Sequence, residues 1–204
     1  MSSAAAPSPR LRRLPQQHRS RRRLEHVLDT ADALLAKEGA EALTMTRIAD
    51  AAGVSIGSVY QYFPDKGAVA EALALRYLDE FKEVAAALQP GDDPAGAALD
   101  AFAEAFRVRP GFRAMWFGGL RTESLRDVTR PGLQDIAGSI AQLLAERAPQ
   151  ADPERVRRVA AMTVLTADAL LRQAFRAAPD GDPALLEETR TLLRGYVRDQ
   201  LGVT

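Results

Sequence analysis

Leu43 to Lys66 read LTMTRIADAAGVSIGSVYQYFPDK, and the spacing predicts two short helices joined by a tight turn. Thr44 is a helix N-cap candidate, because its hydroxyl can accept a bond from a first-turn amide that lacks a helical partner. Ile48, Ala49 and Ala52 follow at helical spacing on one face. Gly53 then supplies the left-handed conformation that ends a helix without a Cβ clash. Val54 is a buried spacer. Ser55 caps a second helix holding Ile56, Val59, Tyr60 and Phe63, and Pro64 ends it by pushing Phe63 out of the α region. Small apolar residues at the crossing complete a helix-turn-helix pattern.

The second helix opens on a surface unlike that of a core element. Ser55, Ile56, Gly57 and Ser58 are small and mostly polar. A helical glycine costs about 1 kcal/mol relative to alanine, and close approach of another backbone is a physical reason to keep Gly57. Tyr60, Gln61 and Tyr62 add hydroxyl and amide groups one turn on. Lys66 opens the next helix, whose free amides and positive end attract anions. Such an array can straddle a DNA major groove, hydroxyls and Lys66 on phosphates and the helix start on base edges. The DNA-facing candidates here are Thr44, Thr46, Ser55, Ile56, Gly57, Ser58, Tyr60, Gln61, Tyr62 and Lys66.

At these residues the stretch resembles the tetracycline-repressor (TetR/AcrR) family of bacterial regulators. The matching residues are Thr46, Ile48-Ala49, Ala52-Gly53-Val54-Ser55, Gly57, Tyr60, Phe63 and Lys66, within roughly Leu24 to Leu73. Gly67 departs from the acidic residue often found there. That weakens the start of the following helix slightly and leaves the DNA reading untouched.

The rest of the chain bounds what the protein can do. At 204 residues, one or two domains fit, with chain enough for a sizeable core. There is no cysteine, and the two histidines, His18 and His26, lie in no metal-ligand pattern. No apolar run reaches membrane-span length, and no secretory signal pattern opens the chain. A cytoplasmic protein follows as the expectation, associated with the nucleoid when bound to DNA, with no cofactor and no metal. Residues 1–23 hold seven arginines and no acid, leaving 20 basic and 27 acidic groups among the remaining 181. Residues 1–18 are expected as a flexible basic arm. Arg19 and Arg21, where helix one begins, join the DNA-facing candidates.

Helix one, near Ser20 to Lys37, carries Leu24, Val27, Leu28, Ala31, Leu34 and Leu35 on one face and ends at Gly39. It supports the two short helices in a three-helix head, residues 19–66. From 67 to 204 the pattern is a helical ligand-binding and dimerisation body, giving an all-α chain of about nine helices. Helix four starts at Asp65 and is broken by Gln89 to Pro94. Later helices are expected from Ala95, Pro110 and Gly132, and from Pro153 and Pro183 behind aspartates.

Two surfaces of the body are candidates for binding. Phe102, Phe106, Met115, Trp116, Phe117, Met162 and Phe175 could line an apolar cavity between helices. The last two helices are apolar over more than the roughly 100° that one buried side needs. Val156, Val159, Ala160, Thr163, Ala167, Leu171, Leu185, Thr189, Leu192, Leu193 and Tyr196 therefore suggest a second partner. The resemblance implies that such helices form a four-helix homodimer interface.

No glycine-rich phosphate loop, GxSxG elbow or HExxH motif occurs, so no enzyme is expected. The expected function is sequence-specific transcriptional regulation. The reading is a repressor released from a palindromic double-stranded operator by a small, largely apolar ligand. The alternative is a small-molecule-binding or protein-interaction module that keeps the fold without reading DNA. No membrane partner is expected.

Overall fold

The computed structural model describes residues 18–202 except 90, 92, 119 and 121. Residues 1–17 of the expected basic arm lie outside them, as does the side chain of Arg19, while the backbone of residue 18 already belongs to the first helix. Nine α-helices and one 3-10 turn, Ala40–Ala42, are found among the described residues, with no strand. The helices are α1 (His18–Glu38), α2 (Met45–Ala51), α3 (Ile56–Tyr62), α4 (Lys66–Ala87), α5 (Pro94–Val108), α6 (Pro110–Phe117), α7 (Glu123–Arg147), α8 (Pro153–Ala177) and α9 (Pro183–Leu201). Among the described residues, no helix is long and apolar enough to cross a membrane.

One chemistry starts three of these helices. Asp93, Asp152 and Asp182 each precede a proline at the first helical position, where a missing amide breaks no helical bond. Their carboxylates accept from the Gly96, Arg155 and Ala184 amides at 2.9, 3.0 and 3.0 Å. The loop expected at Gln89 to Pro94 thus ends in a helix start of the same type. Burial pushes the Asp93 carboxyl up, but bonds from Arg194 and the Gly96 amide outweigh this and hold it below the usual range.

Two compact units interleave in sequence. The first runs to Tyr77 and takes in Arg109–Pro131, and the second comprises Leu78–Val108 and the chain from Gly132. The expected order of arm, head and body is consecutive; by packing, α6 and the start of α7 join the N-terminal helices. Polar pairing explains why sequence periodicity does not show this. In the first unit, Arg76 bonds Asp32 at 3.1 Å and Asp29 at 2.6 Å, and the Tyr77 hydroxyl donates to Asp32. The same Asp32 carboxylate sits against α6, where a Cβ on Gly111 would lie 1.9 Å from its oxygen. Glycine at 111 is what lets α6 lie against α1 there.

The core of the first unit is built from Val27, Ala31 and Leu35 of α1, Ile48 and Ala49 of α2, Val59 and Phe63, and Val69 and Leu73 of α4, all buried. Burying each larger side chain contributes about 1.5–3 kcal/mol. In the second unit α8 and α9 run antiparallel: Arg155, early in α8, bonds Gln200, late in α9, at 3.4 Å. Arg190 and Arg194 tie α9 to Asp100 of α5 and to Asp93 beside it at 2.9 and 3.0 Å.

Helix α7 corrects one expectation. It begins at Glu123 and continues across Pro131, instead of starting at Gly132. A helix-interior proline costs about 3 kcal/mol, because the carbonyl four residues earlier loses its donor. The turns before it are held by side chains: Thr122 accepts from the Leu125 amide at 3.1 Å, and Thr129 donates to the Leu125 carbonyl at 2.9 Å.

Candidate nucleic-acid interface

The helix-turn-helix is built by the predicted capping groups. Thr44 accepts from the Arg47 amide at 3.3 Å, and Ser55 from the Ser58 amide at 3.2 Å. Gly53 adopts φ 62°, and the Val54 amide closes back on the Ala49 carbonyl at 3.0 Å. Val54 itself is half-buried, less enclosed than the pattern suggests. Helix α1 holds the motif at its turn and at the end of α3. The His26 imidazole bonds the Ala52 carbonyl in the turn at 3.1 Å, and Ser20 bonds the Tyr62 hydroxyl at 3.0 Å. Asp65 caps α4 by accepting from the Ala68 amide at 2.9 Å.

These bonds leave one face of α3 open. Val59 is fully buried, whereas Ile56 and Tyr60 are 43% and 40% exposed, unusual for large apolar and aromatic side chains. Ser55, Gly57 and Gln61 are exposed with them, as are Thr46 of α2, Lys66 and Arg21. Thr44 and Ser58 are half-buried, and the Ser55 and Ser58 hydroxyls bond each other at 2.8 Å. Tyr62 departs from this exposed set. It is 4% exposed and its hydroxyl is turned to Ser20, because its position places it on the face that α1 covers.

Gly57 has no packing reason within the chain. A Cβ added there would meet only the Ser55 hydroxyl, at 3.9 Å, which is ordinary contact. Among the described residues, the space that a side chain at Gly57 would first enter is therefore open.

The aromatic candidates separate. In the second unit Phe102 and Phe106 lie 5.4 and 6.3 Å from Phe81, and Phe106 stacks on Phe175 at 5.1 Å. Phe81 of α4, which is not among the pocket candidates, completes the cluster. Met115, Trp116 and Phe117 belong to the first unit, where Trp116 packs on Phe112 at 5.6 Å. Met162 joins neither group: it is 51% exposed on α8.

The dimer candidates also divide. Val156, Val159, Ala160, Thr163, Ala167, Leu171, Thr189 and Leu193 are buried within the single chain. Leu185 and Tyr196 are half-exposed, and Leu192 is 51% exposed. The large apolar residues exposed on α8, among the described residues, are Met162 and Leu165, the latter 53% exposed. Periodicity marked the stripe that covers the chain's own core. Met162 and Leu165, three residues apart and so on one face, adjoin the buried Thr163 and Val164 in sequence and therefore lie on a different face of the helix.

Comparison with known proteins agrees with this architecture. Residues 27–73 match the profile described as bacterial regulatory proteins, tetR family. Residues 90–201 match the tetracyclin repressor-like C-terminal domain. A TetR-family transcriptional regulator from Streptomyces coelicolor is 34% identical, superimposes over 88% of this chain and 99% of its own, and has a TM-score of 0.67. The transcriptional regulator FadR from Bacillus subtilis, solved in complex with stearoyl-CoA, shares the fold at 18% identity, covering 85% of this chain and 98% of its own with a TM-score of 0.64. The HTH-type transcriptional repressor KstR of Mycobacterium tuberculosis is 44% identical over 46 residues, 22% of this chain and 21% of that protein. That match spans about a fifth of the relative's length. With both profiles matched in order and a full-length relative at one-third identity, the chain belongs to the TetR family of bacterial regulatory proteins.

Proposed function

We propose that this protein is a homodimeric, sequence-specific transcriptional repressor that a small, largely apolar ligand releases from a two-fold operator. The observation that carries the reading is the open first turn of α3. Among the described residues, a Cβ at Gly57 would meet only a hydroxyl at 3.9 Å, and Ser55, Ile56, Tyr60 and Gln61 are exposed around it. A helix start of that shape can be pressed into a major groove with its backbone close to the DNA. Thr44, Thr46, Arg19 and Arg21 would contribute at its flanks. The dimer would use Met162, Leu165, Leu192, Leu185 and Tyr196, the apolar side chains that one chain does not cover. The ligand would lodge at the ring cluster of Phe81, Phe102, Phe106 and Phe175. The fold likeness to FadR, a protein solved with stearoyl-CoA, supports an apolar chain as the ligand type.

Phosphate and base contacts separate by their effects. Lys66→Ala and Tyr60→Phe lower affinity equally for all sites, since phosphate contacts position without specifying. Lys66→Ala also flattens the slope of log K against log salt by about 0.9. Gln61→Ala instead changes the preferred base at one position, because a paired amide-to-adenine contact is worth roughly 1–3 kcal/mol of discrimination. Anisotropy titrations over a salt series and a panel of duplexes check both.

Ligand release requires that ligand and operator weaken each other by the same factor. Helix α4 runs from Lys66 to Ala87, so a DNA candidate and a ring of the cluster lie on one continuous helix in sequence. The test is a pair of titrations with stearoyl-CoA or a long-chain alkane as probe, with and without operator duplex. Weaker probe binding on the operator supports the reading. Probe binding of equal strength in both arms contradicts release by an apolar ligand.

A further inference from the structure

The helix-turn-helix from Thr44 to Phe63 carries only two formal charges, Arg47 and Asp50. A motif meant to lie against a polyanion therefore holds one cation. In the free chain that cation is engaged: the Arg47 guanidinium donates to the carboxylate of Glu38, the last residue of α1. The pair is not buried, with side chains 47% and 33% exposed. It borders an open groove of about 630 Å³ that α1 and α2 line with Asp29, Lys37 and Asp50.

The backbone at 47 is fixed, because its amide is the donor that Thr44 caps. The side chain is not fixed to the same degree, since an exposed ion pair contributes little to folding and is weakened by salt. A guanidinium fork meets a carboxylate and a phosphate with the same planar geometry, so one anion can replace the other. Thr46 and Ser55, both exposed, belong to the same motif.

We infer that Glu38 is an internal substitute for a DNA phosphate. It holds Arg47 in the free protein and gives it up to the DNA backbone on binding. Glu38 thereby sets affinity without influencing which bases are chosen. The inference rests on the DNA-binding reading above. Phosphate contacts supply the sequence-independent part of binding. A carboxylate that competes for the motif's one cation lowers that part on every sequence alike. The released Glu38 must also take up a cation beside the duplex, which cancels one counterion that Arg47 sets free.

The test compares full-length wild type, Glu38→Gln, Arg47→Ala and the double variant. The probes are a duplex recovered by selection from a random pool and a scrambled duplex of the same length. Glu38→Gln should tighten binding to both duplexes about tenfold at low salt and steepen the salt slope by about 0.9. In the Arg47→Ala background the same change should alter affinity less than twofold. Equal gains in both backgrounds would make Glu38 a plain repelling charge and overturn the exchange, as would no gain in either. A tighter selected duplex with an unchanged scrambled one would overturn it too, since the effect would then depend on sequence. Should the wild type recover no duplex at all, the DNA-binding reading fails and the inference with it. Gln is isosteric with Glu, so matching thermal melts would confirm that folding is the same.

Discussion

Gly57→Val abolishes operator binding while the protein stays folded. Among the described residues, the nearest atom to a Cβ added at Gly57 is the Ser55 hydroxyl, 3.9 Å away. A Cβ there needs no rearrangement among the described residues. A branched one would hold the helix off the DNA by more than a bond length, and contacts that depend on 3 Å approach would be lost together. The expected fall is at least a hundredfold by anisotropy, with an unchanged far-ultraviolet spectrum. Gly57→Ala sharpens the contrast. It should raise thermal stability, by up to about 1 kcal/mol from helix propensity, and lower operator affinity in the same molecule. Opposite signs in the two measurements would identify a residue kept for an external backbone. A variant that loses stability and affinity together would mean that Gly57 serves the fold.

Leu165→Glu should separate the dimer and remove operator binding without unfolding the chain. Leu165 is 53% exposed in one chain, so a carboxylate there meets water in the monomer. In a dimer it would have to be desolvated against apolar side chains, at a cost of several kcal/mol. One head alone then meets one half-site, whereas half-sites repeat at about 34–36 Å or its multiples and need two heads held together. Sedimentation should show a monomer, and operator affinity should fall at least a hundredfold. Leu171→Ala is the converse. Leu171 is buried within the chain, and its truncation should cost about 2–5 kcal/mol of stability while the dimer persists. A Leu171→Ala protein that falls apart into folded monomers would return the interface to the stripe first expected.

The helix-turn-helix was legible because its signals are local. Thr44, Gly53, Ser55 and Asp65 act on amides and dihedrals within a few residues of themselves, and each does so in the structure. Asp152-Pro153 and Asp182-Pro183 were legible for the same reason. What depended on a distant partner was not. Periodicity showed α8 and α9 to be apolar on a wide arc, yet it could not say which part α5 and the packing of the two helices on each other would cover. Tyr62 looked like a hydroxyl donor beside Tyr60 until Ser20, 42 residues away, took its hydroxyl. The place of α6 depends on Asp32, Tyr77 and Gly111 meeting across the sequence, a polar contact with no period. Helix α7 crosses Pro131 because capping and packing outweigh a local penalty, which is the usual way tertiary context defeats propensity.

The central claim is that two copies of this chain read a two-fold DNA site through the open turn of α3. Selection of bound duplexes from a random pool, using the full-length protein, tests it most directly. The account predicts an inverted repeat, with half-sites one helical turn or a multiple apart, and the same pool returning nothing with Gly57→Val. Recovery of unrelated sequences with no shared half-site, or equal recovery by wild type and Gly57→Val, would contradict it.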